Sequence, residues 1–206
     1  MDKQRGYTVM KYDNHEDSRP TRKRINGFTL IELLVTVSIV AIAMAVAIPN
    51  MSSFISQLRV DNEISQLNRL IITARNTAIN YEASTTVCPL NNANNCTNNW
   101  TGDISVFIDN DGDGVFEAGD NDQIIKVKEA IQQGDNLLYA QASLRYNQMG
   151  TILGAVAATP FRYCPNGHTD LNRGIIVSAS GRSYATSDID NDNQDEDRLG
   201  NAISCI

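Results

Sequence analysis

Hydrophobic positions fall along this chain in three regimes. Residues 1–27 are polar, show no apolar period and end in the basic run Thr21-Arg22-Lys23-Arg24. They read as a disordered leader outside the fold, which a start at Met10 would shorten. Phe28–Ile48 (FTLIELLVTVSIVAIAMAVAI) is apolar throughout except for a few small polar positions and Glu32. As a helix this run spans roughly 30 Å, about one hydrocarbon thickness. It is too long for the core of a secretory signal peptide. Pro49 follows and is expected to kink or interrupt the helix. A helical period then resumes. Val60, Ile64, Leu67, Ile71, Ala74 and Ala78 recur at spacings of three and four, while Arg59, Glu63, Arg69 and Arg75 lie off that stripe. The chain from Phe28 to about Asn80 therefore predicts one long helix, roughly 80 Å in length, lipid-compatible in its first half and amphipathic in its second.

After Tyr81 the period shortens. Ser84–Pro89, Ile104–Ile108, Gln123–Val127, Leu137–Ala140, Ser143–Tyr146, Phe161–Cys164, Gly174–Ser178 and Arg182–Ala185 read as short strands between Asn-, Asp- and Gly-rich turns. Short strands set against one amphipathic helix give an α+β fold, with a long N-terminal helix packed on an antiparallel β-sheet head. The expected segments are residues 1–27, 28–48, 49–81 and 82–206.

Charge gives these segments a direction. Of 17 Lys and Arg and 24 Asp and Glu, residues 1–27 hold seven bases and four acids, leaving ten bases and twenty acids for residues 28–206. A basic flank, an apolar span and an acidic remainder predict a single-pass membrane protein, with its N-terminus in the cytoplasm and its head outside. The acidic balance disfavours a general nucleic-acid surface. With only His15 and His168 available, a histidine-based catalytic or zinc site is also disfavoured. Glu32 stands out because a carboxylate at mid-membrane costs about 2.5–3.5 kcal/mol. It must lie near the interface or meet a positive partner inside the apolar layer. The four cysteines, Cys88, Cys96, Cys164 and Cys205, all follow the helix. In an extracytoplasmic head they suggest two disulfides, with three pairings open. Proximity favours Cys88–Cys96, closing an Asn-rich loop, and Cys164–Cys205, pinning the C-terminal tail.

The stretch Gly27-Phe28-Thr29-Leu30-Ile31-Glu32-Leu33-Leu34-Val35, behind its basic leader, closely resembles the prepilin signal of type IV pilins and type II secretion pseudopilins. The resemblance implies cleavage after Gly27 by a prepilin peptidase and N-methylation of Phe28. It further implies that Glu32 pairs with the amine of a neighbouring subunit during assembly. Downstream, Leu70–Ala78, Val87-Cys88-Pro89, Trp100-Thr101-Gly102 before Val106–Asp109, and Gly174–Ser178 before Gly181-Arg182 resemble a minor-pilin group. That group includes type II secretion pseudopilin H and fimbrial biogenesis proteins T and U. The implied role is a structural subunit of a type IV pilus or a type II secretion pseudopilus, placed at or near the tip. Its implied partners are other major and minor pilins or pseudopilins, the prepilin peptidase and an inner-membrane assembly platform, and its head lies in the periplasm.

Other motifs have competing readings. Asp109, Asp111, Asp113 and Asp120, with Gly114 at the turn, match much of a calcium loop, so calcium is a candidate ligand for a binding or adhesin module. The alternative is an Asp/Asn/Gly-rich hairpin turn, since the flanks read as strands rather than EF-hand helices. Asp188–Asp197 holds six acids and no base, as a solvated loop would. Gly181-Arg182-Ser183-Tyr184 keeps the first Arg of a stretch implicated in DNA binding by some fimbrial T proteins. Tyr184 stands where a second Arg is expected, and the acidic run disfavours DNA. No nucleophile motif or phosphate loop points to an enzyme.

Overall fold

A computed structural model describes residues 27–154, 159–192 and 194–205, and the expected leader lies outside them save for Gly27. The described residues form a helix α1 (Leu30–Tyr81) and eight strands. These are β1 (Thr85–Pro89), β2 (Ile104–Ile108), β3 (Gln123–Lys128), β4 (Asn136–Leu138), β5 (Leu144–Tyr146), β6 (Phe161–Cys164), β7 (Arg173–Val177) and β8 (Ser183–Ala185). Helix α1 runs without a break through position 49, so it is the one long helix expected, and Pro49 does not interrupt it. A proline removes only one backbone hydrogen bond, and the flanking Ala- and Val-rich turns sustain the rest.

The chain divides into two units, residues 1–44 and residues 45–206. In the first, every described side chain from Gly27 to Met44 is exposed. The span Leu30–Ile48 is long and apolar enough to cross a membrane.

The second unit contains the core. Val60, Ile64, Leu67, Leu70, Ile71, Ala74 and Ala78 form one buried helix face, and it packs with strand residues Val87, Val106, Leu144, Tyr146, Phe161 and Ile175. Instead of one sheet, the head has two four-stranded antiparallel sheets, ordered β3-β2-β1-β5 and β4-β6-β7-β8. The split follows from partner choice. β4 pairs with β6, setting Leu137 opposite Tyr163, whereas β5 crosses to β1 and sets Tyr146 opposite Thr85. Trp100, Tyr139 and Phe161 form one buried cluster of rings. Tyr139 stacks on Phe161 at 3.9 Å, and Trp100 meets both rings edge-on. The Trp100 indole N–H donates to the Gln141 carbonyl at 2.9 Å, so this large side chain is buried without an orphan donor.

Candidate functional site

At the N-terminal end of α1, Thr29 is the capping residue. Its hydroxyl accepts the Glu32 backbone N–H at 3.2 Å, and its carbonyl accepts Leu33 N–H at 3.1 Å. Thr29-Leu30-Ile31-Glu32 thus has the spacing of a capping box. Glu32 lies in the first helical turn, where a carboxylate faces the positive end of the helix dipole. Glu32 is close to the N-terminal end of the helix, and Phe28, 84% exposed, precedes the cap by one residue. Thr29 was not singled out from sequence, although the Thr-x-x-Glu spacing was legible.

In the head, both cysteine pairs are bonded. Cys88 joins Cys96 across the Asn-rich loop, and Cys164 joins Cys205, 41 residues away. The second bond holds the C-terminus to β6.

The loop after β2 is organised around Asp109, whose side chain is fully buried. Its Oδ2 accepts the Thr86 hydroxyl at 2.6 Å and Gly114 N–H at 3.1 Å, and its Oδ1 accepts Gly112 N–H at 2.9 Å. Burial pushes its pKa up from the ordinary carboxylate value, while those hydrogen bonds hold it down in part. Asp122, unremarked in the sequence, plays the same part on the far side by accepting Asn110 N–H and Glu117 N–H. The four candidate calcium ligands do not form one set. Asp109, Asp111 and Asp113 cluster together, while Asp120 groups with Asp111 and Glu117. Glu117 is raised by its hydrogen bond and repulsion with Asp120. The buried carboxylate is already engaged by Thr86, Gly112 and Gly114, as in a hairpin held by side-chain-to-backbone bonds.

In the acidic tail, Asp188, Asp190, Asp192 and Glu196 also lie together. Glu196 is buried and accepts Ile189 N–H at 2.8 Å. Arg182 is exposed, and Tyr184 carries the Arg198 guanidinium over its ring at 4.0 Å.

A polar cluster that sequence reasoning missed fastens α1 to the head. The buried Asp135 accepts the Tyr163 hydroxyl at 2.5 Å and Asn166 N–H at 2.8 Å. Arg59 Nε lies 3.1 Å from the same carboxylate, and its Nη2 completes a longer hydrogen bond at 3.4 Å. One turn along the helix, Glu63 pairs with the buried Lys128 of β3 at 2.6 Å. Arg173 of β7 pairs with Asp61. Three residues within about one helix turn, Arg59, Asp61 and Glu63, are thereby tied to three different parts of the head.

Two family signatures match the sequence. The prokaryotic N-terminal methylation motif covers residues 22–48. The family described as Type II transport protein GspH covers residues 63–181, more than half of the chain. The chain belongs to the GspH family. This pseudopilin family consists of structural subunits rather than enzymes. Membership implies assembly with other pseudopilins and processing by a prepilin peptidase. The methylation motif and apolar helix are those of inner-membrane-anchored prepilins. Among solved structures, this GspH-family chain is similar to the Pseudomonas aeruginosa type IV minor pilin FimU in two crystal forms. In one, identity is 19%, with 65% of this chain and 92% of that chain covered and a TM-score of 0.49. In the other, identity is 20%, coverage 60% and 89%, and the TM-score 0.45. No curated protein sequence matches the chain.

Proposed function

We propose that this GspH-family chain is a minor pseudopilin of a type II secretion system, seated at or near the pseudopilus tip. Before assembly it spans the inner membrane once, with its basic leader in the cytoplasm and its disulfide-bonded head in the periplasm. Cleavage after Gly27 frees the amine of Phe28, which is then methylated. Glu32 pairs with the amine of a neighbouring subunit as the apolar helix leaves lipid for the filament core. The observation that best supports this reading is the joint geometry of Phe28, Thr29 and Glu32. The helix cap holds the new N-terminus and the carboxylate within one turn of each other, at the end of an apolar span whose described side chains are exposed. Inside a filament the carboxylate loses water, and an opposing charge is then required.

The test is complementation of a deletion strain. The native chain should restore export of folded periplasmic substrates, Glu32→Leu should fail, and Glu32→Asp should recover part of the export. Pilus-driven surface motility should not change in any strain. Loss of motility with intact export would place the chain in a type IV pilus instead. Full export with Glu32→Leu would remove the carboxylate from assembly.

A further inference from the structure

The head portion of α1 has two apolar faces. Val60, Ile64, Leu67, Ile71, Ala74 and Ala78 point into the core. At 100° per residue, Met51, Ile55 and Leu58 project from roughly the opposite side, with Phe54 on its flank. These four side chains are 52%, 56%, 52% and 55% exposed. Beside them a groove of about 720 Å³ opens between the helix and the C-terminal loop. Ser53, Phe54 and Gln57 form one wall, and Asp170, Asp188 and Asp192 lie opposite. Arg173 is the one base among its lining residues, and its charge is committed to Asp61 and Asp195. The groove is thus mixed on the helix side, where Phe54 borders the exposed apolar stripe, and strongly negative on the loop side.

We propose that this groove docks an amphipathic helix of a different pseudopilin, whose Lys or Arg enters between Gln57 and the Asp170/Asp192 rim while its apolar residues cover Phe54 and Leu58. The inference rests on the assembly reading above and specifies the face and chemistry of one contact. Charge selects the occupant. The negative wall attracts a basic side chain, whereas a second copy of this chain brings its own excess of ten acids over bases in residues 28–206. The exposed stripe supplies contact area, and the acidic rim supplies partner choice.

A benzophenone amino acid at Gln57 of the full chain tests this, in cells that also make the companion pseudopilins and the prepilin peptidase. Mass spectrometry of the cross-linked product should identify a peptide from another pseudopilin that carries Lys or Arg. Asp170→Lys with Asp192→Lys should cut its yield roughly tenfold, as expected for reversing two charges across an interface. Both positions are exposed, and an unchanged thermal midpoint would confirm folding. Asp170→Asn with Asp192→Asn should produce an intermediate loss. A cross-link indifferent to charge, or formed with lipid or a second copy, would overturn the proposal. If the chain matures at Phe28 and enters the pseudopilus with no Gln57 cross-link, the groove proposal alone fails. A chain that never matures overturns the assembly reading and the groove with it.

Discussion

Asp135 is the point where helix, strand and loop are joined, and its replacement by alanine has a calculable cost. The carboxylate side chain is 1% exposed, against 29% for Arg59. Removing it strands the Tyr163 hydroxyl in a nearly waterless site, at about 1–3 kcal/mol. Asn166 N–H loses a charge-assisted bond, but Asn166 is exposed and its N–H can turn to water, so about 1 kcal/mol is reasonable. Arg59 recovers most of its hydration and contributes about 0–1 kcal/mol. The sum is about 2–5 kcal/mol, which overlaps the usual cost of about 3–5 kcal/mol for removing one member of a buried ion pair. For a chain of this size that lowers the melting temperature by roughly 10 °C. Chemical and thermal unfolding of the full chain in detergent, with disulfides intact, would measure it. A double-mutant cycle sharpens the test. In a Tyr163→Phe background no hydroxyl is left stranded, so Asp135→Ala should cost about 1–3 kcal/mol less than in the native chain. A cost below about 1 kcal/mol for Asp135→Ala, or strict additivity with Tyr163→Phe, would refute the argument, because both follow from the buried hydroxyl.

Two further predictions concern the head. Burial raises the phenols of Tyr139, to about 12, and of Tyr146 and Tyr163, and the Tyr163–Asp135 hydrogen bond raises Tyr163 further. Because folded values exceed the ordinary value of 10.0, the stability held by these neutral phenols is complete below pH 10 and lost as pH rises beyond it. Unfolding free energy should fall by up to about 4 kcal/mol per pH unit between roughly pH 10 and 12. Phenolate absorbance from these three of the chain's seven tyrosines should appear together with unfolding, and their gradual titration in the native head would contradict this. Asp109→Ala strands the Thr86 hydroxyl and two glycine N–H groups, costing about 2–4 kcal/mol. The loss should be equal in chelator and in excess calcium; a loss confined to calcium-containing buffer would show that the loop is a metal site.

How much of this was legible in the sequence depends on the range of the interactions. The inward stripe from Val60 to Ala78 is a local period and could be read directly, as could the positions of most strands. The division into two sheets was not legible, because Leu137 opposite Tyr163 and Tyr146 opposite Thr85 are pairings that alternation alone does not encode. Asp135 sits in Gln132-Gln133-Gly134-Asp135-Asn136, a string that reads as an ordinary polar turn. Its partner Arg59 is 76 residues away, so nothing local marks the pair. The acidic tail was visible as charge but not as a wall. Its place beside Phe54 depends on Arg173 reaching both Asp61 and Asp195 and on Thr186 bonding Asp195 at 2.8 Å. Glu32 shows the converse. Its spacing from Gly27 was readable, whereas its role in a helix cap emerged only with the position of Thr29.

The central claim is that this chain enters the pseudopilin pathway through its N-terminus. Intact-mass spectrometry of the protein from cells with and without prepilin peptidase tests it most directly. The account predicts a mature chain beginning at N-methylated Phe28 and retaining both disulfides, formed only when the peptidase is present. An uncut chain in both strains would contradict it, leaving the apolar helix as an anchor alone.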